Sequence, residues 1–294
     1  MLKNVSLDDK YKLENKFILV NGTQALVRAT LIQKFRDEKE NLKTAGFVTG
    51  YRGSPVGNVD LQFSKVKKLI SEKDIKFHPG LNEDIAATSL WGSQQAEMRG
   101  ESNYDGVFGF WYGKGPGVDR SGDVFRHSNL AGTSKNGGVI AAMGDDHSGE
   151  SSTVLFQSEY AFKDAMIPIL SPSGVQELID YSILGWALSR YAGVWVGLKC
   201  LKDTIDATEV VDGSPDKLKI IYPENPVKRG ELSIRVGDTP HAQEERLHRQ
   251  KLPAVKKFAL ENKIDREGFK KTKLSKIGII SSGKSWLDVE HALE

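Results

Sequence analysis

Between residues 17 and 199, short apolar runs alternate with longer segments whose apolar residues recur at helical spacing. Parallel strands that are buried on both faces read as continuous apolar runs, so this alternation predicts an α/β fold with a doubly wound, mostly parallel sheet and helices on both faces. The predicted strands are 17–20 (an entry segment), 45–49, 75–77, 107–111, 138–143, 167–170 and 194–198. The predicted helices are 23–35, 59–70, 83–98 and 175–191.

The pattern changes after about residue 206. Residues 207–272 contain five prolines among charge-rich intervals, which predicts connecting structure with an exposed helix over 241–262 that is broken near Pro253. Residues 276–280 then predict a new strand, followed by a helix from Trp286 to Glu294. One strand and one helix cannot bury a core. We therefore expect an α/β domain over 1–206, a connector over 207–272, and the first strand and helix of an incomplete further domain over 273–294.

Composition narrows the function classes. The chain has 294 residues, of which 39% are hydrophobic, and this is enough for one large or two ordinary domains. Its 41 basic and 39 acidic residues give no basic surface for nucleic acid. An apolar leader and a run of about 20 apolar residues are both missing, so we expect a cytoplasmic protein without a membrane span. The single cysteine, Cys200, excludes an internal disulfide and a cysteine-ligated cluster held within this chain.

Ligands of open parallel sheets bind beyond the carboxyl ends of the strands. Four unusual loops are predicted to follow strands there, at residues 50–57, 78–83, 112–120 and 144–152. Twelve of the 29 glycines fall between residues 100 and 149, a density that favours close backbone approach to a ligand or a subunit.

The second of these loops ends in Asn82-Glu83-Asp84, at the start of an apolar helix. Asn82 is suited to cap the helix, and Glu83 would lie in the first turn, near the positive end of the helix dipole. From this segment alone, simple capping is the favoured explanation of these residues. The fourth loop carries Asp145, Asp146 and further polar groups that could bind a divalent ion, but we favour satisfaction by the loop's own backbone and by water, and predict no metal ligand.

Five segments together carry a resemblance to a known family. They resemble the N-terminal part of indolepyruvate ferredoxin oxidoreductases, which belong to the thiamine-diphosphate-dependent 2-oxoacid:ferredoxin oxidoreductases, and the fused bacterial form is the most similar. The similarity covers nearly the whole chain, including Gln243–Leu247 and Gly283–Val289. The five segments are 50–55, 82–87, 115–117, 137–140 and 144–152.

The resemblance implies that this portion is the pyrimidine-binding domain and that Glu83 is its catalytic glutamate. A carboxyl group hydrogen-bonded to N1′ of the aminopyrimidine favours the imino tautomer, whose 4′-nitrogen activates the thiazolium carbon. Arg52 stands where a proline is common in the family. The remaining implied site residues are Gly53, Asn82, Gly115 and Gly117 for the cofactor, and Arg52 and Ser54 for the substrate.

The resemblance also implies what lies outside the chain. The family's diphosphate-binding module has Gly-Asp-Gly, whereas this chain has Gly144-Asp145-Asp146. We therefore expect thiamine diphosphate to be shared with a separate diphosphate-binding domain or subunit, with Mg²⁺ and iron–sulfur clusters also held elsewhere. The implied reaction is oxidative decarboxylation of a 2-oxoacid, such as an arylpyruvate or indolepyruvate, with ferredoxin as acceptor, in a homo-oligomer. This chain alone should be inactive.

Two alternatives stay open at this point. The chain could be a non-catalytic interaction module with the same fold. It could also belong to another thiamine diphosphate enzyme, of transketolase-like or decarboxylase type.

Overall fold

The structure is a computed structural model that describes residues 6–150, 155–224, 227, 230–269, 273 and 276–294. A short 3₁₀ helix at Asp9–Tyr11 comes first. The strands are β1 (Phe17–Asn21), β2 (Thr44–Gly50), β3 (Ile75–Phe77), β4 (Gly106–Lys114), β5 (Val139–Asp145), β6 (Ile169–Leu170), β7 (Trp195–Leu201) and β8 (Thr208–Asp212). The helices are α1 (Gly22–Lys39), α2 (Gly57–Lys65), α3 (Lys67–Ser71), α4 (Glu83–Ser93), α5 (Gly115–Arg120), α6 (Gly122–Ala131), α7 (Glu159–Asp164), α8 (Val175–Ala192), α9 (Lys202–Asp206), α10 (Pro240–Arg246), α11 (Leu252–Glu261) and α12 (Lys284–Leu293).

Six strands form one sheet in the order β3-β2-β4-β5-β7-β6, and every pairing in it is parallel. From β2 the chain first moves outward to β3 and then crosses to β4 on the other side. This reversal makes the carboxyl ends of β2 and β4 the topological switch point, where ligands of doubly wound sheets bind.

Helices cover both faces of the sheet. Because side chains alternate across a strand, a strand that is buried on both faces contributes residues to the core on each face. In β4, Phe110 and Tyr112 point into the larger core beneath α1 and α8, whereas Trp111 points into the smaller core beneath α4 and α6. The same division holds in β5, where Ile140 and Met143 lie in opposite cores. The doubly wound parallel α/β fold predicted from the sequence is therefore confirmed.

The predicted entry strand is not part of this sheet. It forms an antiparallel two-stranded ribbon with β8, in which Leu19 pairs with Val210. The sequence analysis gave no strand at β8, and the two partners are far apart in sequence, so local pattern could not reveal the pairing.

Several helices also differ from the prediction. The segment 59–70 forms two helices, α2 and α3, which meet at Val66. Helix α4 ends at Ser93 instead of Met98. There the side chain of Gln94 turns into the core and bonds to backbone groups, donating to Val107 O and accepting from Gly138 N. The short helices α5, α6, α7 and α9 were not predicted.

The C-terminal region contains the predicted helix near 241–262, as α10, a π-helical turn at Leu247–Lys251, and α11. Pro253 lies in the first turn of α11, which tolerates proline, so the helical path continues through it. The strand predicted over 276–280 is wrong: these residues form no strand in the structure, and Ile277 and Ile280 are 84% and 102% exposed. Among the described residues no helix is both long and apolar enough to span a membrane.

Candidate active site

Backbone hydrogen bonds bring three loops together at the switch point. The chain after β3 is tied to β2 by His78 N, which donates to Val48 O at 2.9 Å, and by Gly80 N, which donates to Gly50 O at 2.8 Å. The chain after β2 is tied to β4 by Tyr51 N, which donates to Tyr112 O at 3.0 Å. The start of α4 is therefore held beside the carboxyl ends of β2 and β4.

Glu83 is the first residue of α4, and it is only 6% exposed. Asn82 precedes it as N-cap, with its side-chain oxygen accepting from Ile85 N at 2.9 Å. No described residue donates a hydrogen bond to the Glu83 carboxylate. Its oxygens are not among the fully buried polar atoms that lack a partner, so the carboxylate keeps some access from outside and is available to a ligand.

Two glycines form the wall against which the Glu83 side chain lies. A Cβ atom added at Gly117, in α5, would stand 2.4 Å from both Cγ and Oε1 of Glu83. A Cβ atom added at Gly113, in β4, would stand 3.3 Å from Cγ of Glu83. Larger residues at these positions would displace the glutamate. The glycine density in this region therefore has a local steric reason.

Trp111 is a further residue of the site that was not predicted from the sequence. This residue is fully buried in β4, and its Nε1 donates to the backbone oxygen of Glu83 at 3.0 Å. The predicted strand ended at Trp111, whereas β4 continues to Lys114. A strand of the correct length, together with side-chain alternation, would have placed the tryptophan on the face of α4.

The other predicted cofactor residues lie along the same crevice. Gly53 packs against Lys114, since an added Cβ atom would lie 2.7 Å from its Cδ. Gly115 packs against Phe156, whose ring would be 2.2 Å from an added Cβ atom. Gly53 and Gly115 therefore permit close packing between loops, and their roles toward a cofactor stay predictions.

The two predicted substrate residues, Arg52 and Ser54, are exposed at the mouth of the crevice. Large apolar side chains surround this mouth: Leu81 is 85% exposed and Ile85 is 46% exposed. Arg120 Nε lies 3.2 Å from Asp84 Oδ1 and links α4 to α5. The mouth therefore has exposed apolar side chains beside an ion pair that joins the two helices.

The loop after β5 is arranged differently. Asp145 is buried and accepts hydrogen bonds from Ser158 N at 2.9 Å and Ser158 Oγ at 2.5 Å. Burial raises the pKa of the Asp145 carboxyl, although the bonds from Ser158 oppose this effect. The carboxylate thus anchors the start of α7. Within the described part of the chain, no three His, Cys, Asp or Glu side chains are grouped to hold a metal ion.

Comparison with known proteins places this geometry in context. No family model matches the chain. The chain is 24% identical over 276 residues to the indolepyruvate oxidoreductase subunit IorA of Methanothermobacter marburgensis, covering 93% of this chain and 40% of that protein. It is 26% identical over 282 residues to the subunit IorA of Pyrococcus abyssi, covering 94% of this chain and 39% of that protein. The chain is therefore similar to indolepyruvate oxidoreductase subunits over nearly its whole length. The family resemblance read from the sequence is thereby confirmed.

A solved structure agrees at the level of fold. The 2-oxoglutarate:ferredoxin oxidoreductase of Magnetococcus marinus, with 2-oxoglutarate, coenzyme A and succinyl-CoA bound, matches 95% of this chain with a TM-score of 0.62 and 13% identity. The match covers 51% of that chain. The present chain thus spans about two fifths of its IorA relatives and half of this oxidoreductase.

Proposed function

We propose that this chain is the pyrimidine-binding part of a thiamine-diphosphate-dependent 2-oxoacid:ferredoxin oxidoreductase. One observation carries the proposal: Glu83 is buried at the switch point, and no described residue donates a hydrogen bond to its carboxylate. Helix capping alone does not explain this arrangement, because Asn82 provides the side-chain cap and the Glu83 side chain lies along Gly117 instead.

The residues present fit the pyrimidine half of this cofactor. An aminopyrimidine is a flat, largely apolar ring with a few polar nitrogens, and such ligands bind in apolar crevices with a small number of placed polar groups. Here a carboxylate is available in an apolar setting, with Trp111 beneath it and Ile85 at the rim. The Gly-Asp-Gly of the family's diphosphate-binding module is replaced in this chain by Gly144-Asp145-Asp146. This division supports a cofactor shared with another domain.

In the proposed role, Glu83 holds a proton at N1′ of the aminopyrimidine, and its burial keeps water from competing for that hydrogen bond. Asn82 fixes the start of the helix that presents the carboxylate, and Gly117 leaves room for it. When bound, thiamine diphosphate supplies a nucleophilic carbon for the 2-oxo group and an electron sink for decarboxylation. We assign Arg52 to attract the carboxylate of a 2-oxoacid, and Ser54 to hydrogen-bond it, because both are exposed in the loop that follows β2.

The exposed apolar rim supports a partner over the mouth. Leu81, Ile85 and Tyr51 are exposed large apolar residues that belong to the loops and the helix start joined at the switch point. A patch of this kind marks an interaction surface more often than a free one. We assign it to the diphosphate-binding domain or subunit, with Mg²⁺ and iron–sulfur clusters held outside this chain, ferredoxin as electron acceptor, and a homo-oligomeric assembly.

The same reasoning supports the proposed division of the chain. Residues 276–280 are strongly apolar yet exposed, and α12 has no buried residue in its ten positions. We therefore propose that residues 273–294 belong to a further domain, with 1–206 as the pyrimidine-binding domain and 207–272 as connector. The substrate is proposed to be an arylpyruvate such as indolepyruvate, as the names of the IorA relatives suggest.

The proposal is tested by combining this chain with its diphosphate-binding partner and titrating thiamine diphosphate with Mg²⁺ by calorimetry. We expect binding to the complex only, and indolepyruvate-dependent reduction of ferredoxin or a viologen dye. Decarboxylation without reduction of either acceptor would favour another type of thiamine diphosphate enzyme. Absence of cofactor binding in the complex would favour a non-catalytic module.

A further inference from the structure

Trp111 contacts the residue that carries the available carboxylate. Its indole Nε1 donates to the backbone oxygen of Glu83 at 3.0 Å, and the whole side chain is buried. The ring is itself held in place, because Phe125 of α6 packs edge-on against it with ring centroids 5.0 Å apart. A fixed donor in the core therefore meets the first residue of α4.

Trp111 also lies close to the path of the glutamate side chain. A Cβ atom added at Gly113 would be 2.5 Å from Cη2 of Trp111 and 3.3 Å from Cγ of Glu83. The indole ring and the glutamate stem therefore border the same small space. The tryptophan limits the position of Glu83 from two directions, through its backbone oxygen and beside its side chain.

We propose that Trp111 is a positioning residue for Glu83, which sets where the carboxylate stands at the switch point. The inference rests on the proposed function, because the position matters only if the carboxylate meets a ligand atom. Hydrogen bonds used in catalysis require close placement, and a displacement of about 1 Å can reduce a rate by roughly a hundredfold. Asn82 fixes the start of the helix, and Trp111 fixes its distance from the sheet.

Trp186 provides a matched control. It is also a fully buried tryptophan, and its Nε1 donates at 2.9 Å to the backbone oxygen of Gly109, which lies in β4, the strand that contains Trp111. It lies on the opposite face of the sheet, in the core beneath α1 and α8. Trp186→Phe therefore removes an equivalent hydrogen bond and a similar volume without touching Glu83.

The experiment replaces Trp111 by 3-benzothienylalanine, which keeps the ring shape but cannot donate, with Trp111→Phe as a second variant. Two measurements are made on the chain alone. The first is the ¹³C NMR signal of the Glu83 carboxyl carbon, which is assigned with the Glu83→Gln variant. The second is hydrogen exchange of the backbone amides in the first turn of α4. We expect both Trp111 variants to shift the Glu83 resonance and to speed amide exchange there, and Trp186→Phe to leave both unchanged.

In the cofactor-loaded assembly, we expect the Trp111 variants to slow C2 proton exchange of thiamine diphosphate about tenfold or more, with a smaller change in cofactor affinity. Equal results for Trp111→Phe and Trp186→Phe, or an unshifted Glu83 resonance in the benzothienylalanine variant, would overturn the positioning role. Failure of the proposed function gives a different result, since Glu83→Gln would then keep C2 exchange. The NMR readout still tests the contact in that case.

Discussion

Gly117 stands directly against the Glu83 carboxylate: a methyl group at Gly117 would come within 2.4 Å of Glu83 Oε1. Real Cβ atoms do not approach so closely, so one of the two groups would have to move. The approach joins α5, which follows β4, to α4, which follows β3. A glycine in one helix thereby determines the space available to an acid in another.

Gly117→Ala is expected to weaken thiamine diphosphate binding and slow C2 exchange in the assembled enzyme, because the new methyl group displaces the carboxylate. A loss of about tenfold to a hundredfold is expected for a shift of about 1 Å. Calorimetry and NMR exchange on the complex measure the two effects. A variant with wild-type values for both would show that the carboxylate does not need this position.

Gly92→Ala is the matched control, in the same helix as Glu83. Nothing lies within 4 Å of a Cβ atom added at Gly92, and the residue is exposed. Gly92 lies in the last turn of α4, which ends at Ser93, so the replacement should stabilise the protein by at most about 0.5 kcal/mol, with no effect on cofactor binding. Urea denaturation measures the gain. A destabilised Gly92→Ala variant would show that α4 is not the helix described.

The larger core depends on an ion pair between α1 and α8. Arg190 donates from Nη1 and Nη2 to the two oxygens of Asp37 at 2.6 and 2.9 Å, and both residues are buried. Removing one partner leaves an unpaired charge in the core, so we expect Asp37→Ala to lower the free energy of unfolding by about 3–5 kcal/mol. Chemical denaturation measures it.

The control for this prediction is an exposed ion pair, one partner of which also belongs to α1. Lys39 lies 2.8 Å from Asp216, and both side chains are more than half exposed. Lys39→Ala should cost less than about 1 kcal/mol, since exposed pairs contribute little. If the two variants lost equal stability, the buried pair would not have the structural role described.

Lys251 introduces a pH dependence. It is fully buried in the π-helical turn, its Nζ donates to Leu130 O at 3.2 Å, and burial, together with the nearby Arg246, lowers the pKa of its amine to about 7. In the unfolded chain the pKa is about 10.4. Between these values the unfolded state binds more protons, so stability rises with pH by up to about 1.4 kcal/mol per unit.

Lys251→Met keeps the aliphatic stem and removes the titrating group. We expect the stability difference between wild type and Lys251→Met to change in favour of the wild type as pH rises from 7 to 10. Below pH 7 the full cost of burying the charged amine should be present, and the methionine variant should be the more stable. Parallel stability curves across this range would contradict the buried amine.

The sequence predicted the core of the fold because its main strands are apolar runs buried on both faces, as in Val139–Asp145. It did not predict the β1–β8 ribbon, since that pairing depends on contact between distant segments. The apolar residues of 276–280 read as a strand, but a strand also needs a partner, and no described strand pairs with them. The apolar pattern of a sequence indicates which residues tend to be buried, but it says little about which strands pair with each other.

The candidate site was partly accessible from the sequence for a related reason. Glu83 could be placed at the carboxyl edge of the sheet because the loop before it follows a parallel strand. Its contacts with Gly117 of α5 and with the indole of Trp111 of β4 could not be predicted in detail, because they depend on how α4 packs against α5 and the sheet in three dimensions. Asn82 was expected as a cap, and the structure confirms the cap, whereas its role toward a cofactor stays a prediction.

The central claim concerns one proton held by Glu83, and C2 proton exchange of bound thiamine diphosphate tests it most directly. The exchange is followed by NMR in the complete assembly with wild-type chain and with Glu83→Gln, which keeps the size of the side chain but cannot exchange a proton at N1′. We expect the variant to bind the cofactor and to lose catalysed exchange. Exchange at the wild-type rate in Glu83→Gln would contradict the account.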